Sequence, residues 1–233
     1  MTKIIAMCGL KSAGKDTSAD MLIYMLNTPK FMHKYSWYKI FGAIKGRWRK
    51  TSFARPLKQV LSIMINEPLE RFEDRTFKEY HYINLSTFEK KWCGDLLPGQ
   101  FLSDNQFSKL LKNEQYDTIM SSWISIRQLM QYVGTNVCRK YISNDVWINS
   151  TLQNTKNIVI ADLRFKRECE IINKHNGMLI YINRPGCEPG NHASEREVYE
   201  LYTKGAFKYE LQNNGTLKDL FYKIKHEIWN SIL

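Results

Sequence analysis

The strongest chemical signal lies near the amino terminus, in Gly9-Leu10-Lys11-Ser12-Ala13-Gly14-Lys15-Asp16-Thr17. This is a complete G-x-x-x-x-G-K frame. Glycines let backbone N–H groups turn inward around phosphate oxygens, and a following helix adds positive potential at its N-terminus. Gly9, Lys11, Ser12, Ala13, Gly14, Lys15, Asp16 and Thr17 are therefore candidate phosphate ligands, with Lys15 reaching the β and γ phosphates of a nucleoside triphosphate. A bare frame of this kind arises by chance in roughly one chain in fifteen. Its place between an apolar run and a helical pattern makes chance a poor account. The usual motif has Ser or Thr directly after the lysine, where it holds magnesium. Here Asp16 stands there and Thr17 comes next. Thr17 is the candidate phosphate or metal contact; Asp16 is also well placed simply to face the helix dipole.

A second constellation is Asp162-Leu163-Arg164, directly after the apolar run Ile158 to Ala161. Ligands of parallel sheets sit at the carboxyl ends of strands. An acid there can order magnesium or its waters, and an arginine can neutralise a phosphoryl group in flight. The plain alternative is a surface ion pair among Asp162, Arg164, Arg167 and Glu168. A third set is Arg127, Gln131 and Gly134, which share one side of a helix apart from its apolar stripe. Arg127 can clamp a phosphate bidentately. Gly134 signals close approach of another group or tight helix packing. Trp147 is either a stacking partner for a base or a core residue. Lys58 reads equally as the solvated face of a helix, and Arg47, Arg49 and Lys50 as a solvated basic run.

The elements that must hold these residues are those of an α/β fold. Ile4 to Met7 reads as a buried strand and Lys15 to about Leu26 as a helix. Ile158 to Ala161 and Met178 to Ile182 read as further buried strands, which points to a parallel sheet covered on both faces. Thr51 to Ala54 and Phe207 to Leu211 are weaker strands. Ile126, Leu129, Met130, Val133, Val137 and Tyr141 recur at helical spacing, as do Leu217, Leu220, Phe221, Ile224, Ile228 and Ile232. Thr216 can cap the last helix after the Asn214-Gly215 turn. Two stretches, 28–50 and 84–118, mix aromatics with charge and read as helical insertions in a single domain spanning 1–233.

Composition limits the field. The 233 residues are 43% hydrophobic and 24% charged, as in ordinary globular proteins, which excludes disorder and coiled coil. With 34 Lys+Arg against 23 Asp+Glu the net charge is +11, suited to polyanionic partners from nucleotides to nucleic acid. Five cysteines without C-x-x-C spacing read as free thiols in a reducing compartment. No histidine pair has zinc spacing. The first residues do not resemble a signal peptide, and no apolar run spans a bilayer, so a cytoplasmic protein without membrane contact is expected.

Taken together, the loop, Ser52-Phe53-Ala54-Arg55-Pro56-Leu57-Lys58, Ile126 to Thr135 (I-R-Q-L-M-Q-Y-V-G-T), Asp162-Leu163-Arg164, Arg184-Pro185, His192 to Glu195 and Leu211 to Leu217 occur in an order that resembles the deoxynucleoside monophosphate kinases of tailed phages and large DNA viruses. Nucleoside monophosphate kinases often displace the loop threonine by one residue. The resemblance implies a P-loop kinase fold, a three-layer αβα arrangement with a five-stranded parallel sheet and a short lid at about 184–196. It implies transfer of the ATP γ-phosphoryl group, with magnesium, to a deoxynucleoside 5′-monophosphate. In that reading Lys15, Asp162 and Arg164 are catalytic. Asn213 and Gly215 join the loop at ATP, and Ser52, Lys58, Arg127, Gln131 and Trp147 bind the acceptor. Arg184, Glu195 and Arg196 belong to the lid, loosened by Gly186 and Gly190. The lid reads otherwise as a surface loop before a helix capped by Ser194 and Glu197. No stable nucleic-acid partner is expected; a homodimer is left open. Two rivals stand beside it. A phosphomevalonate-type kinase shares the G-K-D loop and the D-x-R element, and a nucleic-acid-binding ATPase would account for the charge.

Overall fold

The computed structural model describes residues 3–36, 39–40, 46–84, 101–103, 123–153, 157–189 and 193–232. The chain divides into two compact units, Met1–Phe53 with Ile148–Leu233, and Ala54–Trp147.

The first unit is built on β1 (Ile4–Cys8), every residue of which is buried. Parallel strands flank it in the order β2 (Arg49–Thr51), β6 (Ile158–Ile160), β1, β7 (Met178–Asn183), β8 (Tyr209–Gln212). Alternation along each strand sends neighbouring side chains to opposite faces. Ile5, Met7, Val159, Ile180 and Ile182 pack in one core with residues of α1 (Lys15–Asn27) and the C-terminal helix. Ile4, Ala6, Cys8, Ile158, Ile160, Leu179 and Tyr181 pack in the other with Cys169, Ile171, Ile172 and Val198. The expected three layers and five parallel strands are therefore present. Connections run first to one side of β1 and then to the other, which puts the end of β1 at the topological switch point where α/β sheets bind ligands.

Several elements differ from expectation. The second strand is Arg49–Thr51 rather than 51–54, because an edge strand of charged residues has no apolar signature. The last strand is Tyr209–Gln212 rather than 207–211. The described part of 28–50 is integrated, since Ile40 and Trp48 join the first core.

The second unit has its own core, centred on Leu61, Phe72, Phe77, Ile83, Ile126 and Trp147. It contains α2 (Arg55–Met64), α3 (Arg75–Tyr80) and a three-stranded antiparallel sheet with β3 (His81–Asn84) between β4 (Phe101–Ser103) and β5 (Trp123–Ser125). That sheet was not anticipated, and of 84–118 only residues 84 and 101–103 are described, all in strands. The helix of the R-Q-L-M-Q segment, α4, starts at Ile126. Ser125 Oγ accepts from the Gln128 N–H, and Gln128 Oε1 accepts from the Ser125 N–H. After Gln131 it widens into π-helical turns through Ile142. The chain returns to the first unit along α5 (Val146–Leu152), followed there by α6 (Lys166–Lys174), α7 (Ala193–Thr203) and α8, which runs from Leu217 to Ile232 with π-helical turns over Ile224–Trp229.

His33 is a buried titratable group in this packing. Its ring meets Trp229 edge-on at 4.7 Å, and its Nε2–H donates to the Thr28 carbonyl at 2.9 Å. Burial lowers its pKa from 6.5. The unfolded chain thus takes up a proton below about pH 6.5 that the folded protein refuses. Stability is unaffected by His33 above that pH and falls as pH drops through 6.5 toward the folded value. Thermal melts from pH 8 to 5 should show a steeper acid loss for wild type than for His33→Gln; equal slopes would remove His33 from the effect.

Candidate active site

The loop joining β1 to α1 is shaped by close contacts that explain its glycines. Gly9 has φ 147°, and a Cβ there would lie 2.6 Å from the Ile182 carbonyl oxygen. Gly14, at φ 98°, precedes α1 in the left-handed region, and a Cβ there would lie 2.6 Å from Asn213 Nδ2. Ser12 adopts φ 64° without being glycine, so the loop stores strain at its tip. No side chain caps α1 at Gly14, and an uncapped helix N-terminus is of the kind that receives an anion. Lys15 curls over the loop and donates to the carbonyls of Gly9 at 2.8 Å and Leu10 at 2.7 Å. Lys11 and Ser12 are exposed, Ala13 is buried, and Thr17 is half-buried in the first turn of α1.

Two strand ends brace this loop, and a third is joined to its neighbour in the sheet. Asn213, just past β8, donates from Nδ2 to the Ala13 carbonyl at 2.8 Å, while its own N–H donates to the Asn183 carbonyl at 2.7 Å. Arg184, just past β7, donates from Nη1 to the Ser12 carbonyl at 3.1 Å. Asp162, just past β6, accepts from the Phe53 N–H at 2.8 Å and so ties the ends of β6 and β2 together. Glu168 lies under the turn that follows β6. It is 2% exposed and its Oε2 accepts from the N–H groups of Arg164 at 2.8 Å and Phe165 at 3.1 Å. Arg164 itself is exposed on the turn that Glu168 fixes. Gly215 lies in the turn before α8, which Thr216 caps as expected, accepting from the Asp219 N–H.

Lys50 was read as part of a solvated run, and the structure corrects this. Its Nζ lies 3.1 Å from Asp16 Oδ1 and 3.0 Å from Asp20 Oδ1. Burial alone would lower its pKa, but Asp16 and Asp20 outweigh that and raise it. Burial also lifts Asp20 above the ordinary aspartate value despite Lys50. Asp16 therefore faces a cation from β2. The pairing crosses some thirty residues of sequence, so no local pattern announces it.

On the first unit Ser52 is half-buried, and its carbonyl accepts from Thr151 Oγ1 at 3.4 Å. In the second unit Lys58 is buried, not solvated, with its ammonium 2.6 Å from Glu73 Oε2. Arg127 and Gln131 are exposed, and Arg127 Nη2 lies 2.9 Å from Glu79 Oε1. Gly134 is buried against Leu57, whose Cδ2 would lie 2.8 Å from an added Cβ, so tight packing accounts for it. Trp147 is 5% exposed in the core, and its Nε1–H donates to the Gly134 carbonyl at 2.9 Å.

The lid stretch 184–196 falls partly on 190–192, including Gly190 and His192, outside the described residues, as does the side chain of Glu195. Arg196 is exposed. The helix begins at Ala193, ahead of the Ser194 cap expected, and Glu197 Oε1 accepts instead from the Lys166 N–H at 2.6 Å. Burial pushes the Cys8 thiol far up and Cys169 up to about 12, so neither is a nucleophile. Among the described residues no group of three or more His, Cys, Asp or Glu could hold a metal, and no helix is long and apolar enough to cross a membrane.

This loop, braced by Asn213 and Arg184, suits transfer of a phosphoryl group. The family profile of deoxynucleotide monophosphate kinases matches residues 3–224. The chain belongs to that family. A mimivirus protein (Acanthamoeba polyphaga mimivirus) carrying the deoxynucleotide monophosphate kinase name is 30% identical over 154 residues, 58% of this chain and 76% of the relative. The deoxynucleoside-5′-monophosphate kinase of Escherichia phage T5 is 25% identical over 190 residues, 76% of this chain and 74% of the relative. A dephospho-CoA kinase from Campylobacter jejuni covers both chains fully at 12% identity, but at a TM-score of 0.38 the likeness is too slight to bear on fold or function. This kinase accordingly uses ATP to phosphorylate a deoxynucleoside monophosphate, and neither rival reading has comparable support.

Proposed function

We propose that the loop Gly9–Thr17 holds the β and γ phosphates of ATP, with Asn213 and Gly215 near the adenine, and that Lys58, Arg127, Gln131 and Ser52 bind the acceptor. An oxygen of the acceptor 5′-phosphate attacks the γ phosphorus, the bond to the β–γ bridging oxygen breaks, and ADP leaves with that oxygen. The attacking oxygen is already anionic, so no general base is needed, and catalysis rests on positioning and charge neutralisation. Lys15, Arg164, Arg184 and Arg196 supply positive charge. Lys15 leaves its contacts with Gly9 and Leu10 for the phosphates, and Asn213 and Arg184 keep the loop from collapsing.

Thr17 and Asp162 are the oxygen donors suited to Mg²⁺. This ion keeps most of its waters and takes one or two protein oxygens plus phosphates, so a separate protein cage is not required. Bound, it would offset charge on the β and γ phosphates. Trp147 is reassigned from base stacking to holding the second unit's core around Gly134.

The observation that carries this reading is the Lys15 ammonium held at the Gly9 and Leu10 carbonyls, in the loop that enters a helix no side chain caps at the switch point of the sheet. ADP formation from Mg-ATP with each deoxynucleoside monophosphate, each ribo counterpart and phosphomevalonate tests it. Acceptor-dependent ADP with one or more deoxy acceptors is expected. Release with phosphomevalonate alone, or stimulation by DNA or RNA without any acceptor, would overturn it.

A further inference from the structure

We infer that Lys78 and Arg75 of α3 act with Lys58 and Arg127 to bind the 5′-phosphate of the acceptor nucleotide, an inference that rests on the acceptor reading above. Neither residue stood out in the sequence, where both sit in an ordinary charged stretch. In the structure three of the four cations pair with the Glu73 and Glu79 carboxylates, and the fourth, Lys78, reaches the backbone of Glu73. Lys58 Nζ lies 2.6 Å from Glu73 Oε2, and Lys78 Nζ donates to the Glu73 carbonyl oxygen at 3.4 Å. Arg75 Nε and Arg127 Nη2 both reach Glu79 Oε1, at 3.2 and 2.9 Å. Four positive charges stand against three carboxylates, Glu73, Asp74 and Glu79, an excess of positive charge that favours an anion. Asp74, next in the chain, has its Oδ1 engaged by the Thr76 N–H at 2.8 Å.

The cluster is electrostatically unfinished. Burial lowers the pKa of Lys78, Lys58 and Arg127 push the same way, and Glu73 and Asp74 only partly restore it. Glu79 shows the complementary response. Burial would raise its pKa, but Arg75 and then Arg127 outweigh it and hold the carboxyl below the ordinary range. Like charges gathered on a half-buried surface are unfavourable until an anion joins them. A phosphate accepts from several donors at once and forms strong charge-assisted hydrogen bonds with guanidinium and ammonium groups. The scaffold is rigid where it matters, because Phe77 of the same helix is 1% exposed and stacks edge-on against Phe72 at 5.5 Å. Structural ion pairs alone would need one cation for each carboxylate, and exposed pairs of that kind contribute little to stability.

The test reads Lys78 directly. In the full-length protein with ¹³C-labelled lysine, the Lys78 Cε resonance is identified by its loss in Lys78→Arg and titrated against pH. It should titrate below an ordinary lysine and move upward when inorganic phosphate or a deoxynucleoside monophosphate is added, but not with the unphosphorylated deoxynucleoside. Lys78→Gln should raise the KM for the acceptor about 10- to 100-fold. The KM for ATP should stay within about twofold, and Lys78→Arg should retain most of the acceptor affinity. A Lys78 signal that phosphate does not move, or an equal rise in both KM values, would overturn the inference. If wild type transfers to no deoxynucleotide while phosphate still moves Lys78, the acceptor assignment falls and the anion site stands. An unmoved Lys78 beside normal transfer has the opposite meaning.

Discussion

Lys15→Ala lowers kcat by about 10²- to 10³-fold, the usual effect of removing one preorganised donor from a charge-stabilising site. The ammonium lies within 2.8 Å of two loop carbonyls, so it is held at the mouth of the loop before any nucleotide arrives. Charge on the β–γ bridging oxygen grows as the bond breaks, and a cation that swings the short way from those carbonyls to the phosphates favours the transition state over the ground state. The loss should therefore fall mainly on kcat, with a smaller rise in the KM for ATP. The fold should survive. The two hydrogen bonds given up are partly exposed and contribute about 1 kcal/mol each, a few degrees in melting temperature for a chain of this size. Steady-state ADP formation with circular dichroism melts on the same samples checks both halves. Turnover near wild type would remove Lys15 from the chemistry, and collapse of the melt would make the kinetic loss uninformative, in which case Lys15→Arg would replace it.

The contrast between Lys15 and Lys50 shows where a sequence is informative. The Lys15 environment is local. An apolar strand, two glycines at backbone positions that a side chain would strain, and a helix all lie between residues 4 and 27. Lys50 depends on α1 packing beside β2, and its partners Asp16 and Asp20 are some thirty residues away. The same distinction separates the parallel strands from the antiparallel sheet. Ile158–Ile160 and Met178–Asn183 are buried on both faces and read as continuous apolar runs. Phe101–Ser103 and Trp123–Ser125 are three residues each, too short to establish a period. Residue type alone also failed at Trp147, because an indole is equally suited to a base and to a core, and its N–H is taken by Gly134. Asp162 was legible as an acid at a strand end. Its hydrogen bond to the Phe53 N–H was not, since 109 residues separate the two.

That hydrogen bond makes Asp162 a residue with two separable duties, and paired substitutions should divide them. Asp162→Asn keeps an oxygen that can accept from the Phe53 N–H, now 2.8 Å away, but removes the charge. It should melt within a few degrees of wild type, turn over about 10²-fold more slowly, and need more Mg²⁺ to reach half its maximal rate. Asp162→Ala loses the charge and also leaves the backbone N–H of Phe53, a residue 4% exposed, without that acceptor. An unsatisfied buried donor costs about 1–3 kcal/mol, so this variant should melt lower as well as turn over slowly. If the asparagine variant keeps full kcat and an unchanged Mg²⁺ dependence while the alanine variant loses both stability and rate, the carboxylate serves only to join the ends of β2 and β6. Charge neutralisation would then rest on the cations around the loop, with Arg164 the first to substitute. Its turn is fixed from behind by the buried Glu168 rather than by Asp162, so Arg164→Ala tests a neutralising cation without disturbing that junction.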